Sequence, residues 1–102
     1  MMILQPQEVD RRLLTEAVSK AAAKKPLPAT SLVRLERFRE GAAAQIMHIG
    51  PYAAEAPTIE RLHAFIAEQG YERVGKHHEI YLGDPRRSAP EKLRTIIRQP
   101  VR

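Results

Sequence analysis

Apolar residues recur at three- and four-residue intervals from Val9 to Ala22, at Val9, Leu13, Leu14, Ala17, Val18, Ala21 and Ala22. That spacing places them on one face of an amphipathic helix. Pro6 suits a first helical turn, and Glu8 and Asp10 follow where negative charge complements the helix dipole. Lys24 and Lys25 stand at the opposite end, where positive charge is favoured, and Pro26–Pro28 stops the helix. Ahead of it, Met1–Leu4 reads as a short strand broken at Gln5-Pro6.

The period then changes. Val33 and Leu35 alternate with Arg34 and Glu36, which predicts a strand with one buried face. A turn at Arg39–Gly41 leads into a second strand, Ala42–Ile49, ended by Gly50-Pro51. From Pro57 to Gln69 the helical period returns, with Ile59, Leu62, Phe65 and Ile66 on one face, and Gly70 sits where a C-terminal stop belongs. Tyr71–Gly75 and His77–Gly83 read as two more strands around a tight turn at Gly75-Lys76. The segment Asp84–Arg102 reads as a proline-marked loop with a helical turn at Pro90–Arg94. These elements predict an α+β fold, an antiparallel sheet with helices on one face, containing one strand–helix–strand–strand module preceded by a further helix and strand.

One segment does not fit a plain core strand. In "KHHEIYLGDPRR" (Lys76–Arg87) a carboxylate, Glu79, lies between His78 and Ile80. Side chains alternate along a strand, so His78, Ile80 and Leu82 share one face and His77, Glu79 and Tyr81 the other. Packing Ile80 and Leu82 against the helix of Leu62 and Ile66 leaves Glu79 and Tyr81 on the face that the helices do not cover. If that face is open to water, Glu79 is an ordinary surface carboxylate. If it is covered, Glu79 is a half-buried charge, costly unless paired or hydrogen-bonded, of the kind kept for a ligand or a proton transfer.

Composition narrows the chemistry. The 102 residues contain no cysteine, which excludes disulfides, thiolate catalysis and cysteine-based zinc sites and fits a reducing cytoplasm, the expected location. No apolar run approaches the roughly 18 residues that span a bilayer, and the first residues lack a basic signal-peptide start. The formal charge is +5. Its basic residues form no single run and no aromatic is interleaved among them, so direct nucleic-acid binding is not expected.

Of the four histidines, His63 lies on the helix, His48 on another strand, and His77 and His78 point to opposite faces; no metal site is expected. Tyr52 and Tyr81 are candidates to wall a pocket with aromatic surface. Met47 shares a strand face with Gln45, and alternation alone leaves open whether that face is core or pocket. No Ser-His-Asp or Cys-His set is present. Catalysis would therefore rest on Glu79 as general base toward water, with Tyr81 donating a hydrogen bond to the leaving group.

Four blocks, "QIMHIGPY" (Gln45–Tyr52), "TIERLHAFI" (Thr58–Ile66), "GKHHEIYLGDPRR" (Gly75–Arg87) and "APEKLRTIIRQPV" (Ala89–Val101), resemble the C-terminal half of the GyrI-like small-molecule-binding domain. "LQPQEVDRRLL" (Leu4–Leu14) is similar to the helix entry in the middle of that domain. The resemblance implies two related strand–helix–strand–strand modules flanking a cleft for amphipathic, often cationic, small molecules. A glutamate lies at the cleft floor, and Glu79 matches it.

On this reading residues 1–102 are a single GyrI-like domain fragment: 1–28 form a strand and linking helix, and 29–102 the second module and C-terminal tail. The first module has no counterpart, so a homodimer is expected to complete the cleft. The first expected function is capture of an amphipathic, cationic ligand by Glu79, Tyr81, Tyr52, Met47 and His77, as in effector-binding domains of multidrug-responsive transcription regulators. The second is hydrolysis of strained, cyclopropane-type toxins by Glu79 and Tyr81. The third is a module that binds a partner protein. No cofactor is expected.

Overall fold

The computed structural model describes residues 1–102, which divide into two compact units, Met1–Phe38 and Arg39–Arg102. In the first, helix α1 spans Arg11–Lys24, and its N-cap is Asp10, whose side chain accepts from the Leu13 amide at 2.8 Å. Asp10 thus caps the helix instead of lying inside its first turn, and the helix begins later than Pro6 suggests. Leu14 and Val18 are half-buried and no α1 residue is fully buried. Pro28–Leu32 forms a short 3-10 turn.

Neither strand expected in this unit is present. Met1–Leu4 and the Val33–Phe38 stretch have no strand assignment. Alternation gave Val33–Phe38 the pattern of a strand, but a strand exists only with a hydrogen-bonded neighbour, and it is absent from every pairing in the sheet. Arg34 and Glu36, two residues apart, pair with each other instead.

The second unit holds a three-stranded antiparallel sheet and one helix. Strand β1 is Ala43–Ile49, helix α2 is Ala56–Glu68, β2 is His78–Tyr81 and β3 is Arg94–Pro100. The sheet order is β1-β3-β2, with Ile46 opposite Ile97 and Glu79 also opposite Ile97. The α+β architecture is as the sequence predicts. The central strand is not, because Arg94–Pro100 reads as a loop and tail. The hairpin expected between Tyr71–Gly75 and β2 is replaced by an isolated bridge from Arg73 to Val101.

β3 is hidden from pattern reading because its buried face is mixed. Thr95, Ile97 and Gln99 are 0%, 0% and 3% exposed, whereas the apolar Ile96 points the other way and is only half-buried. Gln99 is tolerated inside because its amide donates to the carbonyls of Val74 and Pro100, both at 3.0 Å.

The core is Leu62, Ile66 and Ile97, with Ala44, Ile46, Ile59 and Val101 packed around it. Phe65, expected on the same helix face, is 52% exposed. Gly70 follows α2 at φ +77°, a left-handed position that stops the helix.

Register corrects the expected facing of β2. Glu79 and Tyr81 lie opposite Ile97 and Thr95, so they are on the side of the sheet that carries α2. The other side presents Met47, Ile96 and Ile80 in one row and Ile49 and Leu82 in the next. Ile80 and Leu82 therefore do not pack on α2. β2 is an edge strand, and this alone lets a carboxylate sit on the helix side without entering the core.

Candidate functional site

The link between β1 and α2 brings a second acid to Glu79. Gly50 sits at φ +130° and its amide donates to the Leu93 carbonyl at 2.8 Å, turning the chain out of the sheet. His48, 4% exposed, then fastens the turn at two points. Its Nε2–H donates to the Pro51 carbonyl at 3.0 Å, which leaves Nδ1 to accept from the Thr58 hydroxyl at 2.9 Å in the neutral ring. A short 3-10 turn, Tyr52–Ala54, follows, and Glu55 closes it as the residue before α2.

Glu55 is 6% exposed, and its Oε1 has no hydrogen-bond partner. The hydroxyl of fully buried Thr95, on the adjoining strand, is likewise unpartnered. These are the two orphaned buried side-chain atoms of the chain, and both lie at this end of the sheet. Buried polar atoms are normally hydrogen-bonded, and an unpartnered one bears the cost of its desolvation.

Glu79 is well supplied by comparison. Its Oε2 accepts from the Tyr81 hydroxyl at 2.8 Å, and its Oε1 lies 3.3 Å from Nε2 of His77. The Tyr81 ring meets that of Tyr52 edge to face, with centroids 5.3 Å apart, a favourable aromatic arrangement.

The two carboxyls are driven apart electrostatically. Burial, and then the negative charge of Glu79, hold the Glu55 carboxyl above the usual carboxylate range. The Tyr81 hydrogen bond, followed by that of His77, outweighs burial and holds Glu79 below it. Tyr81 is correspondingly pushed up by its bond to Glu79. One acid thus retains its proton more tightly and the other surrenders it more readily, which is how a pair of like groups divides acid and base roles.

The structure brings together four of the residues singled out by sequence: Glu79, Tyr81, Tyr52 and His77. Met47 is on the opposite face of the sheet, opposite Ile96 and 43% exposed. The Tyr81 hydroxyl, expected to face a leaving group, is committed to Glu79. Glu55 was missed because "YAAEAP" reads as a short loop with nothing to show that its carboxylate turns inward. The sole sequence signal is the Gly50-Pro51 break, which folds that loop back onto the sheet.

No three of the histidine, aspartate and glutamate side chains converge as a metal-holding group. His48 is occupied with its turn, and His78 lies 3.1 Å from Glu40, which also pairs with Arg98 at 3.0 Å, on the other face. No helix is long and apolar enough to cross a membrane.

Known proteins share this fold. The sequence model of the GyrI-like small molecule binding domain matches residues 8–102. A crystal structure of a hydrolase from Listeria innocua is 42% identical and superposes with a TM-score of 0.85, over 96% of this chain and 52% of its own. An uncharacterized conserved protein from Listeria innocua is 44% identical, with a TM-score of 0.87 over 96% of this chain and 50% of its own. A further Listeria innocua hydrolase is 42% identical, with a TM-score of 0.83 over the same shares. The chain spans about half the length of these structures. No curated protein matches it.

Proposed function

The chain belongs to the GyrI-like small-molecule-binding domain family, and on that premise we propose that its site binds an amphipathic small molecule over Tyr52 and Tyr81 and hydrolyses a strained, electrophilic ring in it. The observation that carries this reading is the placement of Glu55, buried in the turn before α2, near Glu79, which Tyr81 and His77 hydrogen-bond. The first is thereby held toward its protonated form and the second toward its ionised form. Two of the similar structures are described as hydrolases, which supports it.

For a cyclopropane conjugated to a dienone, Glu79 takes a proton from water while the water oxygen bonds to a ring carbon. The strained carbon–carbon bond breaks, and its electron pair passes through the conjugated system to the dienone oxygen. Glu55 gives its proton to that oxygen. The product is the substrate plus one water, and passage of the proton from Glu79 to Glu55 restores the pair. Tyr81 is a positioning residue that keeps Glu79 ionised and oriented.

A second reading is capture without turnover. An ionised Glu79 flanked by two aromatic rings suits an amphipathic cation, whose contact with such rings contributes roughly 0.5–2 kcal/mol. This is the effector-binding role of a transcription regulator's sensor domain.

In either case a second copy of the chain supplies the missing part of the cleft. Support comes from the half-length match; Met47, Ile49 and Leu82, exposed on the side of the sheet away from Glu79, offer a separate contact surface between copies.

The test is incubation with a spirocyclopropyl cyclohexadienone, following loss of dienone absorbance and incorporation of oxygen from labelled water. Turnover is expected, with Glu79→Gln reducing it about 100-fold or more while ligand binding persists, the usual scale for a general base. Saturable binding without turnover would assign the capture reading. Turnover undiminished in either Glu79→Gln or Glu55→Gln would overturn the acid–base assignment.

A further inference from the structure

A second recognition feature adjoins the acid pair and is independent of it. Between the later half of α2 and the segment that leads into β2 lies an open cleft of about 780 Å³, within the size range of small-molecule sites. Its apolar wall is Ile66, Ala67 and Tyr71, and its polar wall carries His63, Arg73, Lys76 and His77. Gln99 forms part of the lining, held by its two amide hydrogen bonds.

The charges in this cleft are unbalanced. Arg73 does not face a carboxylate; its Nη1 donates to Nδ1 of His63 at 2.7 Å, an uncharged acceptor. Lys76 has no acidic partner within ion-pair distance. The one carboxylate in the lining, Glu72, is paired with Arg102 at 3.1 Å. His63 responds to these surroundings: burial, then Arg73 and His77, push its pKa down, so it stays a neutral acceptor that steadies the guanidinium. Arg73 keeps donors beyond the one given to His63, in the planar fork that suits carboxylate and phosphate oxygens.

We propose that this cleft is an anion-binding site, in which Arg73 and Lys76 hold the carboxylate or phosphate of a small molecule whose apolar body lies on Ile66, Ala67 and Tyr71. His77 forms the boundary with the reactive end, since the same side chain lines the cleft and contacts Glu79. A ligand that fills both parts is therefore oriented, its anionic group at Arg73 and its other end at the acid pair.

The test is a nuclear magnetic resonance titration of the isotopically labelled chain with inorganic phosphate, and separately with acetate and benzoate, at ionic strength held constant with chloride. Saturable shifts are expected at Gly75, Lys76 and His63. Arg73→Gln and Lys76→Gln should each weaken phosphate binding about fivefold or more, as loss of a charge-assisted contact does. Both variants keep every backbone hydrogen bond, and an unchanged dispersion of amide signals verifies their folding. Glu79→Gln should not weaken phosphate binding, which separates this site from the acid pair. Benzoate should bind more tightly than acetate because of the apolar wall. Shifts that never saturate, or phosphate affinity unchanged from the native chain in both cation variants, would overturn the anion site. Equal affinity for acetate and benzoate would overturn the role of Ile66, Ala67 and Tyr71.

Discussion

Glu55 and Glu79 carry the same functional group, yet their surroundings drive them in opposite directions. The carboxyl of Glu55 is buried with an orphaned oxygen, whereas that of Glu79 accepts from Tyr81 and contacts His77. Their contributions to stability therefore have opposite pH dependence. A carboxyl whose pKa is raised on folding favours the folded state below its unfolded pKa, and that benefit is lost as pH rises through the folded value. For Glu79, lowered on folding, the benefit is present above the unfolded pKa and is lost as pH falls through the folded value. Glu55→Gln, which resembles the protonated acid, should accordingly stabilise the protein at pH 7.5 by about 1–3 kcal/mol, the scale of an unsatisfied buried polar group. The gain should vanish toward pH 4, and urea denaturation at the two pH values measures it. A gain independent of pH would mean that Glu55 carries no raised pKa.

At the scale of elements, β3 joins the other two strands. Ile97 is 0% exposed at the centre of the sheet, between Ile46 and Glu79, and contributes the sheet's part of the core under Leu62 and Ile66. Ile97→Ala should cost about 2–5 kcal/mol, and Ile96→Ala, one residue away on the half-buried face, clearly less; chemical denaturation of the two variants decides it. The contrast also explains what the sequence revealed. α2 was legible because its apolar residues repeat at the period of a helix, and β1 because it is a short, mostly apolar run bounded by Gly41 and by Gly50-Pro51. β3 was not, because Thr95 and Gln99 share the inward face with Ile97, and burial of polar side chains depends on partners that only the fold supplies. Val33–Phe38 erred the other way, having the alternation of a strand and no neighbour to pair with. Of the site, Glu79, Tyr81, Tyr52 and His77 were legible as unusual residues near two strand ends. Their side of the sheet was not, because alternation tells which residues share a face and not which face the helix takes.

At the scale of the whole molecule, one side of the sheet presents apolar residues to water. Met47, Ile49 and Leu82 are exposed there, beside half-buried Ile80 and Ile96, an apolar patch of the kind that marks an interface. Sedimentation velocity should show concentration-dependent association to a dimer. Ile49→Lys, at a position that contributes nothing to the core, should shift the equilibrium to monomer at least tenfold in dissociation constant, about 1.4 kcal/mol or more. A monomer at all concentrations would remove the second copy from the proposal and leave the half-cleft to act alone.

The order β1-β3-β2 has a consequence for how the chain is made. β1 and β2 both leave the ribosome before β3, and neither has another strand to pair with. Through that interval the nascent polypeptide exposes two unsatisfied strands and the apolar stripe of α2, and the pairing of Ala43 with Pro100 must close a long loop. The sheet thus cannot form until Arg94–Pro100 has emerged, and until then the chain is most open to chaperones and to aggregation.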